Sequence, residues 1–468
     1  MAPLKVIVIG GGLSGSLIAN GLINHSKAPI DVVVYERDEY DANRGGYQIR
    51  LGAAALTGFR ACLTKEQYNS VLQRFGRSGG VVPSAPVFYD SQLSLVLDLR
   101  KYSAYTKSAP INRALLRDLL QQLLRERNIL QYGKKFVRYE ALDSVTQGLS
   151  GVRAHFADGT TDDADILIAA DGNRSSSNTQ IGASNLVELT DRQGFLSKGA
   201  LPPSLLSTLP QQLIESGSIA CASKGVMAFM SVYMPDKQVN MDDRGNDTDT
   251  LKKQSIYNEE EASIMVGFNW ASTPDIPNLE AVVDRKSLML EKVKNWHPGF
   301  TDIVNVVSED DIYIVKPRVS TPISLGWRKK AKAASPGNFE VGHPQVWLLG
   351  DAIHPMLPSR GMGANQALHD CADALEPLLQ LAELKSTRAL EYEDYERAVT
   401  DYEDKMVPRA FEWVKKSGGT SQSFPDTDSV CGKLFLYFMA AALNVGGAFT
   451  TISKAVGWSK EYDAPELR

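Results

Sequence analysis

Two glycine turns more than 330 residues apart constrain this chain most, each leading out of a strand-like run towards a helix-like one. The first follows the apolar run Lys5–Ile9 and reads Gly10-Gly11-Gly12-Leu13-Ser14-Gly15. The second follows Gln345–Leu349 and begins Gly350-Asp351. It passes through Pro358 and closes with Gly361-Met362-Gly363-Ala364-Asn365. One such turn is weak evidence. Two of them, each at a strand-to-helix junction, point to a single long dinucleotide gripped at two places.

The first turn meets the stricter test of context. Gly10, Gly12 and Gly15 match G-x-G-x-x-G, and a helix is expected over Ser16–Asn24, with Leu17, Ile18 and Leu22 for packing. A second β-branched run, Asp31–Tyr35, completes a strand–helix–strand unit. The first glycine permits the turn, the second lets the backbone approach a pyrophosphate, and the third allows close helix–strand packing. Leu13 and Ser14, within the glycine turn, are further candidate cofactor contacts, and the N–H groups of the helix start that follows face an anion. Glu36 lies 21 residues beyond Gly15, at the end of the second strand. A carboxylate there accepts both ribose hydroxyls and disfavours a 2′-phosphate; Arg37 beside it is a further candidate contact.

Elsewhere the texture divides the chain. Leu115, Leu116, Leu119, Leu120, Leu123 and Leu124 mark one face of a helix expected over Arg113–Arg127, with Asn112 as N-cap. Asp165–Ala169 reads as another buried strand, ending at Asp171-Gly172. Gly225–Met234 and Ala262–Trp270 read as long antiparallel strands around a polar loop, 235–253. Residues 1–80, 111–185 and 336–385 are therefore assigned to a nucleotide-binding unit. Residues 81–110 and 186–335 form a separate sheet that covers it, and 386–468 a helical region. A chain of 468 residues exceeds the usual size of one core.

Net charge is −5 with dispersed basic residues, which gives no sign of a nucleic-acid surface. Cys62, Cys221, Cys371 and Cys431 form no C-x-x-C pair, the six histidines are scattered, and no metal site is expected. The cysteine usage fits a reducing, cytoplasmic setting. Residues 434–453 carry no charge. They read as a core-packed or surface-lying helix, with peripheral membrane contact as the alternative.

These motifs together resemble the FAD-dependent class A monooxygenases, the aromatic-hydroxylase-like family that includes salicylate-type hydroxylases and tetracycline-inactivating enzymes. The resemblance rests on Gly10–Gly15 with Glu36, on Asn112-Arg113-Ala114-Leu115, on Ala170-Asp171-Gly172 and on Gly350–Asn365. It extends to Tyr402-Glu403-x-x-Met406-x-x-Arg409-Ala410. It implies an α/β fold: a doubly wound Rossmann-type FAD-binding domain interrupted by a mostly antiparallel β substrate domain, with C-terminal helices. It implies FAD as cofactor, NAD(P)H as electron donor with NADPH slightly favoured, molecular oxygen, and a medium-sized aromatic or polycyclic organic substrate hydroxylated or epoxidised through a flavin hydroperoxide.

By the same resemblance Asp351 would bond the ribityl chain and Pro358 would lie beside the flavin ring. Gly361, Gly363, Ala364 and Asn365 would present backbone groups to the pyrimidine end, and Arg113 and Asp171 would contact FAD. The segment Arg44–Gly52 would pass the ring, with the Arg44, Gly46, Gln48 and Arg50 face turned to flavin and substrate. Gln48 and Arg50 are the catalytic candidates. Two departures are visible: Asn178 stands where an arginine is common, and Ala53-Ala54 replaces the usual Pro-Asn. His354 reads as ordering its loop rather than as a base. Alternatives of the same chemistry are an oxidase or dehydrogenase and a Baeyer–Villiger enzyme. A flavin-bound redox-sensing interaction protein and a membrane-attached enzyme are further alternatives.

Overall fold

The computed structural model describes residues 2–40, 42, 48–75, 86–101, 108–142, 151–234, 262–272, 278–419 and 425–455, the last helix by its backbone alone from residue 443. The fold is a mixed α/β one with two main cores. In the first, five parallel strands run in the spatial order Val346–Leu348, Ile166–Ala169, Leu4–Ile9, Ile30–Tyr35, Leu130–Gln131. Their runs of Val, Ile and Leu lack alternation because both faces are covered. Helices Leu13–His25, Ala53–Cys62, Arg113–Glu126, Gly363–Thr387 and Tyr392–Lys416 pack into this core. So does a three-stranded antiparallel sheet, through Tyr139, Val152 and Phe156.

The helix expected over Ser16–Asn24 begins earlier, at Leu13, with Gly12 as an N-cap that has no side chain to offer. The helix expected from Arg113 is present, and Asn112 caps it by accepting from the N–H groups of Ala114 (2.9 Å) and Leu115 (3.3 Å). Such a cap contributes about 1 kcal/mol.

The second core lies on one face of a seven-stranded sheet ordered Ile312–Val315, Arg192–Ala200, Ser263–Ala271, Val226–Tyr233, Ser218–Ser223, Val87–Tyr89, Leu95–Asp98. Its pairs are antiparallel except that Val87–Tyr89 runs parallel to Ser218–Ser223. Strand alternation sorts the residues that sequence left open. Met230 and Trp270 point to the helices Arg285–Val293 and Pro298–Asn305, with Phe195 and Phe268. Met227, Phe229, Met265 and Tyr233 lie on the opposite face.

That opposite face carries the C-terminal helix Val430–Ala455, whose Leu436 and Ala440 bury against Phe88, Val96, Leu97 and Ala220. Leu434, Phe435, Tyr437 and Phe438 stay exposed. Among the described residues, no helix is long and apolar enough to cross a membrane. The polar loop 235–253 lies outside the described residues.

Candidate functional site

Parallel strands deliver four separated motifs to one edge of the sheet. Gly10 follows Leu4–Ile9, Glu36 follows Ile30–Tyr35, Asp171 follows Ile166–Ala169, and Gly350-Asp351 follows Val346–Leu348. Ligands of open parallel sheets bind at this carboxyl edge. The motifs also touch. A Cβ on Gly10 (φ +103°) would lie 2.4 Å from the Ala170 carbonyl oxygen, and one on Gly350 would lie 3.2 Å from Ser14 Oγ. The two glycine turns thus meet across more than 330 residues of sequence.

The first turn is closed on its inner side and open on its outer. A Cβ on Gly15 would fall 2.0 Å from the Gly10 carbonyl oxygen, whereas one on Gly12 would meet nothing within 4 Å. Glu36 Oε2 accepts from Gly11 N–H (2.9 Å) and Oε1 from Asp38 N–H (3.1 Å). The carboxylate is therefore pinned at the turn. Gln121 donates to the Gly11 carbonyl (2.6 Å) and accepts from Tyr132 (3.0 Å), supporting the turn from the helix Arg113–Glu126. Arg37 turns outward, half-exposed, beside Asp38 at 3.7 Å.

The second turn is clamped by side chains that sequence reasoning had not singled out for it. Asn178, wholly buried, donates to the Ala352 carbonyl (2.9 Å) and to Asn185 Oδ1 (2.8 Å). Asn185 in turn donates to the Ile353 carbonyl (2.9 Å) and the Thr321 carbonyl (3.0 Å). The residue that departs from the family pattern is thus a loop clamp. The Tyr402–Ala410 motif works from behind. Tyr402 stacks on Trp347 at 5.4 Å and donates to the Leu348 carbonyl (2.8 Å). Glu403 pairs with Arg328 (2.8 Å), which also donates to the carbonyls of His343 and Val346. His354 is fully buried against Asp370, at 2.6 Å.

Solvent reaches Asp351, yet the surrounding protein raises its carboxyl above the ordinary value, against the pull of His354 and Arg113. Pro358 opens a short 3-10 turn, Pro358–Arg360, and lies exposed beside Gly361 (φ +62°), whose Cα side is open. The helix expected near Gly361 starts two residues later, at Gly363, with Ala364 in its first turn.

The Asn365 side chain is fully used within the protein. Its Oδ1 accepts from Gly52 N–H (2.8 Å), and its Nδ2 donates to the Arg50 carbonyl (2.8 Å) and the Gly361 carbonyl (2.9 Å). It ties the ribbon Gln48–Gly52, paired with Ser108–Asn112, to the glycine loop. Asn365→Ala leaves the Gly52 N–H without its partner. It should cost about 1–3 kcal/mol, read as a lower midpoint in chemical denaturation.

Along that ribbon Ile49 and Leu51 pack into the first core, so Gln48 and Arg50 turn the other way, towards the seven-stranded sheet. Burial lowers the Arg50 guanidinium to about 9; its Nε donates to Ser108 Oγ (3.3 Å) and its terminal nitrogen to the Ser108 carbonyl. Gln48 is buried, and its Oε1 has no hydrogen-bond partner among the described residues. Arg44 and Gly46 lie outside the described residues.

Asp171 is a second perturbed acid of the edge. Burial pushes its carboxyl up to about 6, against the Ser175 hydroxyl and the N–H groups of Ser176 and Ser177, and its Oδ1 has no partner among the described residues. The unfolded chain releases this proton near pH 4, so folded stability falls as pH rises from there to about 6. Asp171→Asn should therefore raise apoprotein stability by about 2 kcal/mol at pH 7 and leave it nearly unchanged below pH 4, measured by denaturation at the two pH values.

No family model matches the chain. It is 23% identical over 461 residues to a dual O-methyltransferase/FAD-dependent monooxygenase, elcB, of Phaeosphaeria nodorum, covering 92% of this chain and 46% of that one. The chain thus spans about half the length of this relative. It is 24% identical to a probable FAD-dependent monooxygenase of Arthroderma benhamiae, covering 89% of this chain and 90% of that protein. A solved structure, described as a putative FAD containing monooxygenase from Photorhabdus luminescens, shares the fold with a TM-score of 0.65 at 24% identity, covering 88% of this chain and 96% of that one. By sequence and by fold this chain is similar to FAD-dependent monooxygenases.

Proposed function

We propose that the chain is an FAD-dependent monooxygenase that uses NAD(P)H, with NADPH the favoured donor, and O2 to hydroxylate or epoxidise a medium-sized aromatic or polycyclic molecule. The observation that carries this reading is the meeting of both glycine turns, Glu36 and Asp171 at one sheet edge. The residues fit the cofactor. Gly12, Gly172 and Gly361 open onto space where a Cβ would meet nothing within 4 Å, and Asp171 Oδ1 and Gln48 Oε1 are buried acceptors without donors among the described residues.

In this reading the parallel-sheet unit is a doubly wound FAD-binding domain and the seven-stranded sheet belongs to a substrate domain inserted into it. Glu36 accepts from the adenosine ribose, and Leu13, Ser14 and Gly15 offer backbone N–H groups to the pyrophosphate. Asp351 accepts from the ribityl hydroxyls, with Arg113 alongside. The helix N-terminus at Gly363 favours negative charge at the pyrimidine end of the flavin ring. When bound, FAD supplies the redox and oxygen-transfer chemistry, and the protein supplies placement, electrostatics and exclusion of water.

Gln48 and Arg50 face the seam between the ribbon and the seven-stranded sheet, where Arg50 favours an oxyanion such as a phenolate.

Asp351→Ala tests the cofactor assignment. Loss of its hydrogen bonds to the ribityl chain should weaken FAD binding about tenfold or more, read by flavin fluorescence quenching. Normal FAD affinity in this variant would remove Asp351 from the site.

A further inference from the structure

One carboxylate holds both ends of the Gly350–His354 segment, the first part of the second glycine turn. Asp370, on the helix Gly363–Thr387, is wholly buried, and its Oδ2 accepts from Gly350 N–H (2.8 Å) and from His354 Nε2 (2.6 Å). Its Oδ1 accepts from Arg409 (2.8 Å), on the helix Tyr392–Lys416. Arg409 is itself fixed by Asp373 (2.7 Å) and Gln366 (2.5 Å). Burial alone would raise the Asp370 carboxyl, but His354 and Arg409 hold it well below the usual carboxylate range.

We propose that Asp370 is the positioning residue of the Gly350–His354 turn, acting through His354 and backed by Arg409, so that Asp351 meets the cofactor in a preformed loop. This rests on the FAD reading above. The turn is closed by its own backbone: the N–H groups of Ile353 and His354 donate to the Gly350 carbonyl, each at 3.0 Å. Gly350 (φ +61°) sits so close to the helix that a Cβ would fall 2.8 Å from Ala367 Cβ. His354 also packs edge-on against Phe411, at 6.4 Å between ring centroids. A loop ordered in advance spares ligand binding the entropy of ordering it.

A purely structural role for this cluster would lower stability and leave cofactor affinity alone; a positioning role moves affinity. His354→Ala and His354→Gln separate the two, because both leave the Asp370–Arg409 ion pair intact. The measurements are FAD affinity by fluorescence quenching, the visible band of the bound flavin, and the apoprotein melting temperature. His354→Ala should bind FAD about ten- to hundredfold more weakly with a shifted flavin band. His354→Gln, whose amide can donate to Asp370, should recover most of the affinity. Asp370→Asn should lose at least as much affinity as His354→Ala. Native affinity and an unshifted band in His354→Ala and Asp370→Asn, whatever their melting temperatures, would overturn the proposal and leave the FAD reading standing. Failure of the native protein itself to bind FAD would overturn both.

Discussion

Gly15→Ala should abolish stable FAD binding and destabilise the apoprotein, while Gly12→Ala should weaken FAD binding and leave the apoprotein intact. The difference lies in what each new methyl group meets. At Gly15 it would fall 2.0 Å from the Gly10 carbonyl oxygen and 3.2 Å from Val8 Cγ1. The obstructing atom is backbone in the turn itself, so the helix Leu13–His25 must move away from the first strand. Overpacking costs about 1–3 kcal/mol where side chains can yield, and more against backbone. A loss of about a hundredfold or more in FAD affinity follows. At Gly12 nothing lies within 4 Å, and its φ of −73° suits alanine. Only a ligand pressed against the turn would feel that methyl group. Titration with FAD and thermal melting of both apoproteins check the pair; equal FAD affinity for Gly12→Ala and native protein would place the pyrophosphate elsewhere.

Arg328→Met should lower stability by about 3–5 kcal/mol, the usual cost of leaving a buried charge unpaired. Arg328 and Glu403 are each almost fully buried, 2.8 Å apart, and Arg328 also satisfies the carbonyls of His343 and Val346. Burial raises the Glu403 carboxyl, and Arg328 restrains that rise. Without Arg328, Glu403 is left buried with its main partner gone. The two carbonyls flank the strand Val346–Leu348, which delivers Asp351 to the site, so FAD affinity should fall with stability. Replacing both partners, Arg328→Met with Glu403→Leu, should recover part of the loss, because no lone charge remains. Denaturant unfolding of the three variants measures this; full stability in the single variant would show that the pair contributes nothing.

What sequence reveals here is local. The glycine turns, the Asn112 cap and the acid after the second strand are each defined by a few neighbouring residues, and their roles follow from spacing. Even so, the first helix begins at Leu13 because its cap is a glycine, which carries no side-chain signal. The loop clamps are different. Asn178 and Ala352, Asn365 and Gly52, Arg328 and Glu403, and Asp370 and Arg409 meet only after the sheet and helices have packed. No periodicity announces such contacts. Met227 and Met230 show the same limit. They fall on opposite faces of one strand, and only its register with Ser263–Ala271 says which face meets the helices. The Tyr402–Arg409 pattern was legible as a motif, but its work, holding the strand and turn that carry Asp351, was not.

The most direct test of the central claim is to load the protein with FAD, remove oxygen, and follow the flavin's visible absorption on adding NADPH and, separately, NADH. Bleaching by either donor, quickened by an aromatic substrate and reversed on readmitting air, is the result expected of a monooxygenase. A yellow protein that stays oxidised with both donors across a panel of aromatic ligands would contradict it and favour an oxidase, and a protein that takes up no FAD would contradict the whole assignment.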